Sequence, residues 1–162
     1  VIYMCKNVEI KPYVYVYHSE ATSVPGQYDI VKQGTFYADS WNIDSYSDTE
    51  IMAIDSSKYL MESLATDILV EDYPVTAIIR QMLDSVGFTN YNFNLKTEIV
   101  NNKTVITDTS IPTLSYWWTD DTKTVWEHLQ ELCRDIQMNA VFDDNGILQF
   151  YSRDYLLSLI HI

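Results

Sequence analysis

The stretch from Trp117 to Phe150 restricts the fold more than any other part of this sequence. Thr124 is followed three residues later by Glu127, which is the pattern of a capping box at the start of a helix. Apolar residues then recur at helical spacing, at Val125, Trp126, Leu129, Leu132, Cys133 and Ile136. Two β-rich runs follow, 139–142 and 147–151, on either side of the turn sequence 143–146. The stretch predicts an amphipathic helix followed by a β-hairpin.

A second apolar stripe predicts another helix earlier in the chain. It consists of Val75, Ile78, Ile79, Met82, Leu83 and Val86. Asp72-Tyr73-Pro74 precedes it, and we expect Pro74 near the first helical position, where its missing N–H is not needed. Gly87 ends the helix. Asp55-Ser56-Ser57 predicts the start of a shorter helix over 58–64.

Alternating β-branched and aromatic residues predict strands in the remaining chain. The predicted strands cover 7–17, 28–43 and 48–54, with a turn at 23–26, a possible bulge at Gly34 and an entry strand at 88–93. A hairpin over 95–107 turns at Asn101-Asn102-Lys103. The sequence therefore predicts an α+β fold, with an antiparallel β-rich core, inserted amphipathic helices and a C-terminal helix-plus-hairpin unit.

The composition restricts the partners of the chain. Among its 162 residues, 23 are acidic and 10 are basic, and the formal net charge of -13 repels the phosphates of nucleic acids and anionic membranes. No apolar run reaches the roughly 20 residues of a membrane span. The hydrophobic fraction of 47% is enough for a packed core. We therefore expect no nucleic-acid partner and no membrane insertion.

No motif in the sequence predicts catalysis or a cofactor. Glu127, His128 and Glu131 lie on one helix, but without a second histidine nearby we expect a solvated helix face and not a metal site. Asp143-Asp144-Asn145-Gly146 lacks the later ligands of a calcium loop and predicts a turn. Nucleophile, phosphate-binding and dinucleotide-binding motifs are missing from the sequence. Cys5 and Cys133 form no CxxC pair, which favours free thiols over a disulfide.

Tyr116, Trp117 and Trp118 are the candidate binding residues. Such aromatic residues serve as a buried contact between helix and sheet, as a subunit interface, or as a platform on which a sugar stacks. A core or interface position is the favoured interpretation.

The two ends of the chain suggest a truncated fragment. Val1, and not Met, opens the chain in a strand-like run. Residues 157–162, Leu-Ser-Leu-Ile-His-Ile, resemble the translation of an adapter used in sequencing libraries, and we expect them to be non-native. The alternative is an ordinary apolar terminal helix over 155–162. The predicted segments are a β-rich part over 1–71, a helix, hairpin, helix, hairpin part over 72–156, and the tail.

The order of these elements resembles a protein family. Residues 34–63 read GTFYADSWNIDSYSDTEIMAIDSSKYLMES, and 72–88 read DYPVTAIIRQMLDSVGF. They are followed over 111–156 by IPTLSYWWTDDTKTVWEHLQELCRDIQMNAVFDDNGILQFYSRDYL. This order resembles the minor structural proteins of tailed-phage or prophage tails, of the baseplate-hub or tail-associated type. The resemblance rests on Ala53-Ile54-Asp55 before a short helix, a helix ending in glycine, the Trp-Trp pair, the hairpin and Arg153-Asp154.

The resemblance implies a structural protein that is not an enzyme. It implies β-rich domains assembled in rings, commonly trimers, with other tail proteins as partners, in a virion tail made in the host bacterial cytoplasm. Residues 1–30 match nothing in the family, and no catalytic residue is carried over. Two alternatives stay open: a carbohydrate-binding module that uses Tyr116, Trp117 and Trp118, and a fragment of a hydrolase whose catalytic part is missing.

Overall fold

The computed structural model describes residues 8–17, 28–43 and 49–160, and these residues fall into two compact units. The first unit comprises Val1–Ser56 together with Asp143–Gly146, and the second comprises Ser57–Phe142 together with Ile147–Ile162. That the predicted segments 1–71 and 72–156 are domains stays a prediction. The predicted turn at 23–26 lies outside the described residues.

The first unit is built from strands. These are β1 (Glu9–Ile10), β2 (Tyr13–Tyr17), β3 (Tyr28–Lys32), β4 (Phe36–Ile43) and β5 (Thr49–Asp55). One antiparallel sheet has the order β1-β4-β5, and β2 pairs with β3 in a second antiparallel sheet. The predicted strand over 7–17 is thus two strands separated at Lys11-Pro12, in agreement with the inability of proline to donate to a ladder.

The predicted bulge at Gly34 is wrong. Gly34 lies in the connection between β3 and β4, with a φ of +130° that favours glycine. The register of the β4–β5 ladder instead shifts between Ala38 and Ser40, so that Asp39 is the extra residue on β4. A glycine in a strand-like run marks either a bulge or a break between strands, and here it marks the break.

The second unit contains four helices and seven strands among the described residues. In chain order they are α1 (Ser57–Met61), β6 (Leu69–Pro74), α2 (Val75–Ser85), β7 (Tyr91–Asn94), β8 (Thr97–Val100), β9 (Lys103–Ile106), β10 (Thr113–Trp118), α3 (Val125–Asp135), β11 (Asn139–Phe142), β12 (Leu148–Tyr151) and α4 (Arg153–Ile160). Antiparallel pairs join β10 to β6, β8 to β9 and β11 to β12, and β7 lies parallel to β12. The predicted α+β fold class is confirmed.

The core of this unit lies where α2 and α3 meet the strands. The predicted stripes supply most of it, with Leu60, Leu148 and Phe150 fully buried beside them. Phe150 stacks on Phe93 of the parallel neighbour strand, with ring centroids 5.0 Å apart. The two stripes are therefore the surfaces that fold this unit, because burying each large apolar side chain contributes about 1.5–3 kcal/mol.

The helix ends follow the sequence closely. The Thr124 hydroxyl accepts from the Glu127 N–H, and the Glu127 carboxylate accepts from the Thr124 N–H, which forms the predicted capping box. Gly87 follows α2 with a φ of +72°, and its N–H donates to the carbonyl of Asp84. Gln137 occupies the same position after α3 with a φ of 58°, although it has a side chain.

Three boundaries differ from the prediction. Helix α1 ends at Met61, and the expected helix over 58–64 is shorter than predicted. Asp72 and Tyr73 belong to strand β6, and Pro74 is the N-cap of α2 and not its first helical residue. Helix α4 extends to Ile160 and buries none of its residues. The adapter origin of residues 157–162 stays a prediction, and residues 161–162 lie outside the described part.

Candidate functional site

Strands β10 and β6 place two aromatic rings side by side on an exposed surface. Tyr116 lies opposite Glu71 in the antiparallel ladder, and Trp118 lies opposite Leu69. Tyr116 is 52% exposed and Trp118 is 60% exposed. Their ring centroids are 5.5 Å apart, and the ring planes are inclined by 50°. We call these four residues the aromatic face.

Trp117 points to the opposite side of β10. It is half-buried against the core, and its ring is inclined by 74° to the His128 ring, with the ring centroids 5.8 Å apart. Alternation along the strand explains this position, because neighbouring side chains point to opposite faces of a sheet. Of the three predicted binding residues, Tyr116 and Trp118 are therefore the two that are largely exposed. The interface role of the three residues stays a prediction.

The predicted solvated face of α3 is wrong for His128. This side chain is only 5% exposed, and its Nε2 lies 3.0 Å from both the backbone nitrogen and the carbonyl oxygen of Asp120. Glu127 is engaged in the capping box, and Glu131 forms an ion pair with Lys123. Within the described part of the chain, no three His, Cys, Asp or Glu side chains come together as metal ligands.

The chain directly after Trp118 is held by hydrogen bonds. Thr119 is buried, its hydroxyl donates to the carbonyl of Thr66 at 2.6 Å, and the same oxygen accepts from the N–H of Ile68 at 2.8 Å. The N–H of Thr119 donates to the carbonyl of Ile68. These bonds fix the end of β10 and so position the exposed ring of Trp118.

A cavity of about 280 Å³ adjoins the aromatic face. Its lining residues are Trp117, Trp118, Asp120, Lys123, His128 and Glu131. Lys123 donates to both carboxylate oxygens of Glu131 at 2.8 Å, and this hydrogen bond raises the pKa of the lysine. Hydrogen bonds from the hydroxyl and N–H of Thr122 lower the pKa of Asp120, which keeps this carboxylate ionised. The lining thus contains two carboxylates and one lysine, and the lysine is already paired with one of these carboxylates.

A second exposed surface is formed by β8 and β9, which we call the apolar hairpin. Every residue of both strands is exposed, and Ile99 and Ile106 reach 80% and 62%. The register places these two isoleucines on one face. Asn101 and Asn102 form the two-residue turn with φ values of 51° and 58°, as expected for a type I′ turn. Among the described strands, β8 and β9 pair only with each other.

The acidic turn between β11 and β12 is a hairpin connection, as predicted. The Asp143 carboxylate accepts from the N–H of Asn145 at 2.9 Å, and the Asp143 carbonyl accepts from the N–H of Gly146 at 2.9 Å. Gly146 has a φ of +75°. The local hydrogen bonds and the positive φ account for this sequence of residues.

Sequence reasoning did not find Leu69 and Glu71. It assigned Asp72-Tyr73-Pro74 to a helix start, and the strand before it was not predicted. The alternation of Leu69 and Glu71 with the half-buried Val70 is the signal that was available. It was weak, because Asp72 adopts a φ of 48° and interrupts the regular strand.

No membrane-crossing helix is found in the part of the chain that the structure describes, since none of its helices is long and apolar enough.

No protein-family model matches the chain, and no curated protein matches it. The crystal structure of the 43 kDa tail protein of prophage MuSo2 from Shewanella oneidensis is similar over 88% of this chain. The identity is 14% and the TM-score is 0.49, and the chain spans 43% of that solved chain. That protein is described as a prophage tail protein and not as a hub or baseplate protein.

Proposed function

We propose that this chain is a structural component of a phage or prophage tail, in the baseplate-hub region, and that it catalyses no reaction. In this proposal it assembles with copies of itself into a ring, and with other tail proteins, in the virion tail. The proposed class of protein is based on the order of its secondary-structure elements, which resembles that of tail proteins. The observation that supports assembly is the apolar hairpin, β8 and β9.

An isolated two-stranded hairpin is marginally stable in water. Its free strand edges also present unpaired N–H and C=O groups, to which another chain can add a strand. Ile99 and Ile106 lie on one face of the hairpin and are among the most exposed apolar side chains of the described residues. A neighbouring copy that covers this face removes both side chains from water. The burial of each side chain then stabilises the assembly by up to about 1.5–3 kcal/mol.

The exposed aromatic rings give some support to the carbohydrate-binding alternative. Tyr116 and Trp118 are adjacent and accessible, as a sugar platform requires. However, their planes are inclined by 50°, so the two rings do not present one flat surface to a chain of sugar rings. The tilt favours a protein contact over a sugar platform.

Light scattering coupled to size-exclusion chromatography tests the assembly. We expect the purified chain to form a trimer or a larger ring, and the double variant Ile99→Thr/Ile106→Thr to be monomeric. Threonine keeps the strand preference of the hairpin and removes most of the apolar surface. The control is Met52→Thr, which removes a 64% exposed apolar side chain from β5.

The control variant should assemble as the unchanged chain does. A chain that is monomeric at every concentration, or a double variant that assembles normally, contradicts the proposal.

A further inference from the structure

We propose that the aromatic face and the cavity beside Trp118 bind an arginine-containing basic segment of another protein. The inference rests on the proposed function, in which this chain contacts other tail proteins, and it names the chemistry of one such partner. It is carried by the charges, the ring geometry and the size of the cavity.

Acidic residues dominate the segments that build this surface. Residues 65–74 and 113–124 contain five carboxylates and one basic side chain: Asp67, Glu71, Asp72, Asp120, Asp121 and Lys123. The lysine is paired with Glu131. Asp67, Glu71 and Asp121 are exposed, and none of them forms an ion pair with another described residue. The surface therefore attracts a cation.

The same charge disfavours a second copy of this chain at the aromatic face. The two segments that build this face carry five carboxylates, and their one lysine is already paired. Two such surfaces brought together place like charges against one another, and like-charge contacts at an interface cost several kcal/mol. Charge complementarity thus indicates a basic partner that differs from this chain.

The rings add a preference for arginine. A guanidinium group is planar, stacks on tryptophan or tyrosine, and presents five N–H donors to nearby carboxylates. Tyr116 has Glu71 as its direct cross-strand neighbour, and Trp118 shares the cavity wall with Asp120. A cation that lies on either ring therefore has a carboxylate in the adjoining position.

The size of the cavity fits one long side chain. Clefts that hold drug-sized ligands measure roughly 300–1,000 Å³, and the cavity beside Trp118 measures about 280 Å³ and shares Trp118 with the aromatic face. One arginine side chain in the cavity, with further basic residues along the aromatic face, satisfies both the volume and the charge.

Fluorescence anisotropy with two labelled peptides tests the proposal. One peptide alternates arginine and glycine, and the other has the same length with lysine in place of arginine. At about 0.15 M salt, where distant charges are screened, we expect the arginine peptide to bind the full chain more tightly. Trp118→Ser should weaken its binding about two- to five-fold, the loss of one cation–π contact, and Trp118→Phe should weaken it less.

Matched controls separate this site from general attraction to an acidic protein. Glu71→Gln and Glu50→Gln each remove one negative charge from an exposed strand residue, but only Glu71 belongs to the aromatic face. Ile160→Ser removes an exposed apolar side chain from α4 and is the control for Trp118→Ser. The proposal requires both changes at the face to weaken binding more than their controls.

Equal effects of the face variants and their controls overturn the proposal. The proposal is also overturned if the chain binds a neutral oligosaccharide, such as a chitin hexasaccharide, and does not bind the arginine peptide. Light scattering on the same samples distinguishes a failure of the ring assembly from a failure of the arginine site. A monomeric chain that binds the peptide with the expected variant pattern contradicts the ring assembly and supports the site, whereas an assembled chain without that pattern contradicts the site alone.

Discussion

Asp108, between β9 and β10, should stabilise the second unit more than any ordinary surface carboxylate does. Its Oδ1 accepts from the N–H and the hydroxyl of Ser110, at 3.0 and 2.6 Å. Its Oδ2 accepts from the N–H of Lys96 at 2.8 Å and from the hydroxyl of Ser152, which is fully buried. One half-buried carboxylate thus joins three separate segments of the unit.

Asp108→Asn keeps the shape of the side chain and removes one of the two accepting oxygens. The amide oxygen can still accept from Ser110, but the amide nitrogen then faces the N–H of Lys96 and the hydroxyl of Ser152. A hydrogen bond to a charged group contributes about 1.5–3 kcal/mol, and the lower end applies because Asp108 is partly accessible to water. Two such losses give about 3 kcal/mol, or about 6–12 °C in Tm for a chain of this size.

The loss of stability caused by Asp108→Asn should become smaller as the pH falls. Burial alone raises the pKa of Asp108, but the hydrogen bonds from Ser110, Ser152 and the N–H of Lys96 outweigh it, and the folded-state pKa is lowered. A carboxyl with a lowered folded pKa stabilises the fold fully above its ordinary pKa, and this stabilisation is lost as the pH falls below that value. The difference between the unchanged chain and Asp108→Asn should therefore be constant near neutral pH and shrink below about pH 4.

Urea unfolding followed by tryptophan fluorescence measures this difference, with Glu98→Gln as the control on an exposed strand. The control should change the free energy of unfolding by less than about 0.5 kcal/mol. A loss for Asp108→Asn no larger than that of the control refutes the reasoning. So does a loss that persists unchanged at low pH, because the carboxylate charge then plays no part.

The other predictions concern α3 and its cysteine. Gln137→Gly should raise the free energy of unfolding by about 0.5–1 kcal/mol in urea titrations, because Gln137 has a left-handed φ that favours glycine. The control is Gln130→Gly on the exposed face of α3, which should lower the free energy of unfolding by about 1 kcal/mol because glycine is unfavourable within a helix. Equal effects of the two changes contradict this explanation. Burial raises the pKa of Cys133 to about 12, so in a Cys5→Ser background a disulfide reagent such as DTNB should react only as fast as the protein unfolds. Rapid reaction in native buffer contradicts the burial of this thiol.

Local signals predicted the secondary structure well where a pattern was strong. The Thr124 capping box, the stripe of α2 and its end at Gly87 are all predicted from residues within about three helical turns of each other. The turn at Asn101-Asn102 was equally local. Such features depend on neighbouring residues alone, which is why one sequence is enough to predict them.

Contacts between distant segments were not predictable in the same way. The parallel pairing of β7 with β12 joins residues more than 50 positions apart, and no local pattern selects it. His128 looked like part of a polar helix face, and it is buried because Trp117 and Asp120 arrive from another element. Burial of a polar side chain depends on which segment supplies its partner.

The same distinction between local patterns and contacts of distant segments applies to the candidate site. The sequence by itself determined that Tyr116, Trp117 and Trp118 lie in succession beside an acidic stretch, in a chain with a large negative charge. Only the tertiary structure decided that Trp117 faces the core and that Tyr116 and Trp118 share an exposed face with Leu69 and Glu71 of β6. The physical reason is that alternation along a strand separates neighbouring side chains but does not choose which face is buried. That choice is made by the helices and strands that pack against one side of the sheet.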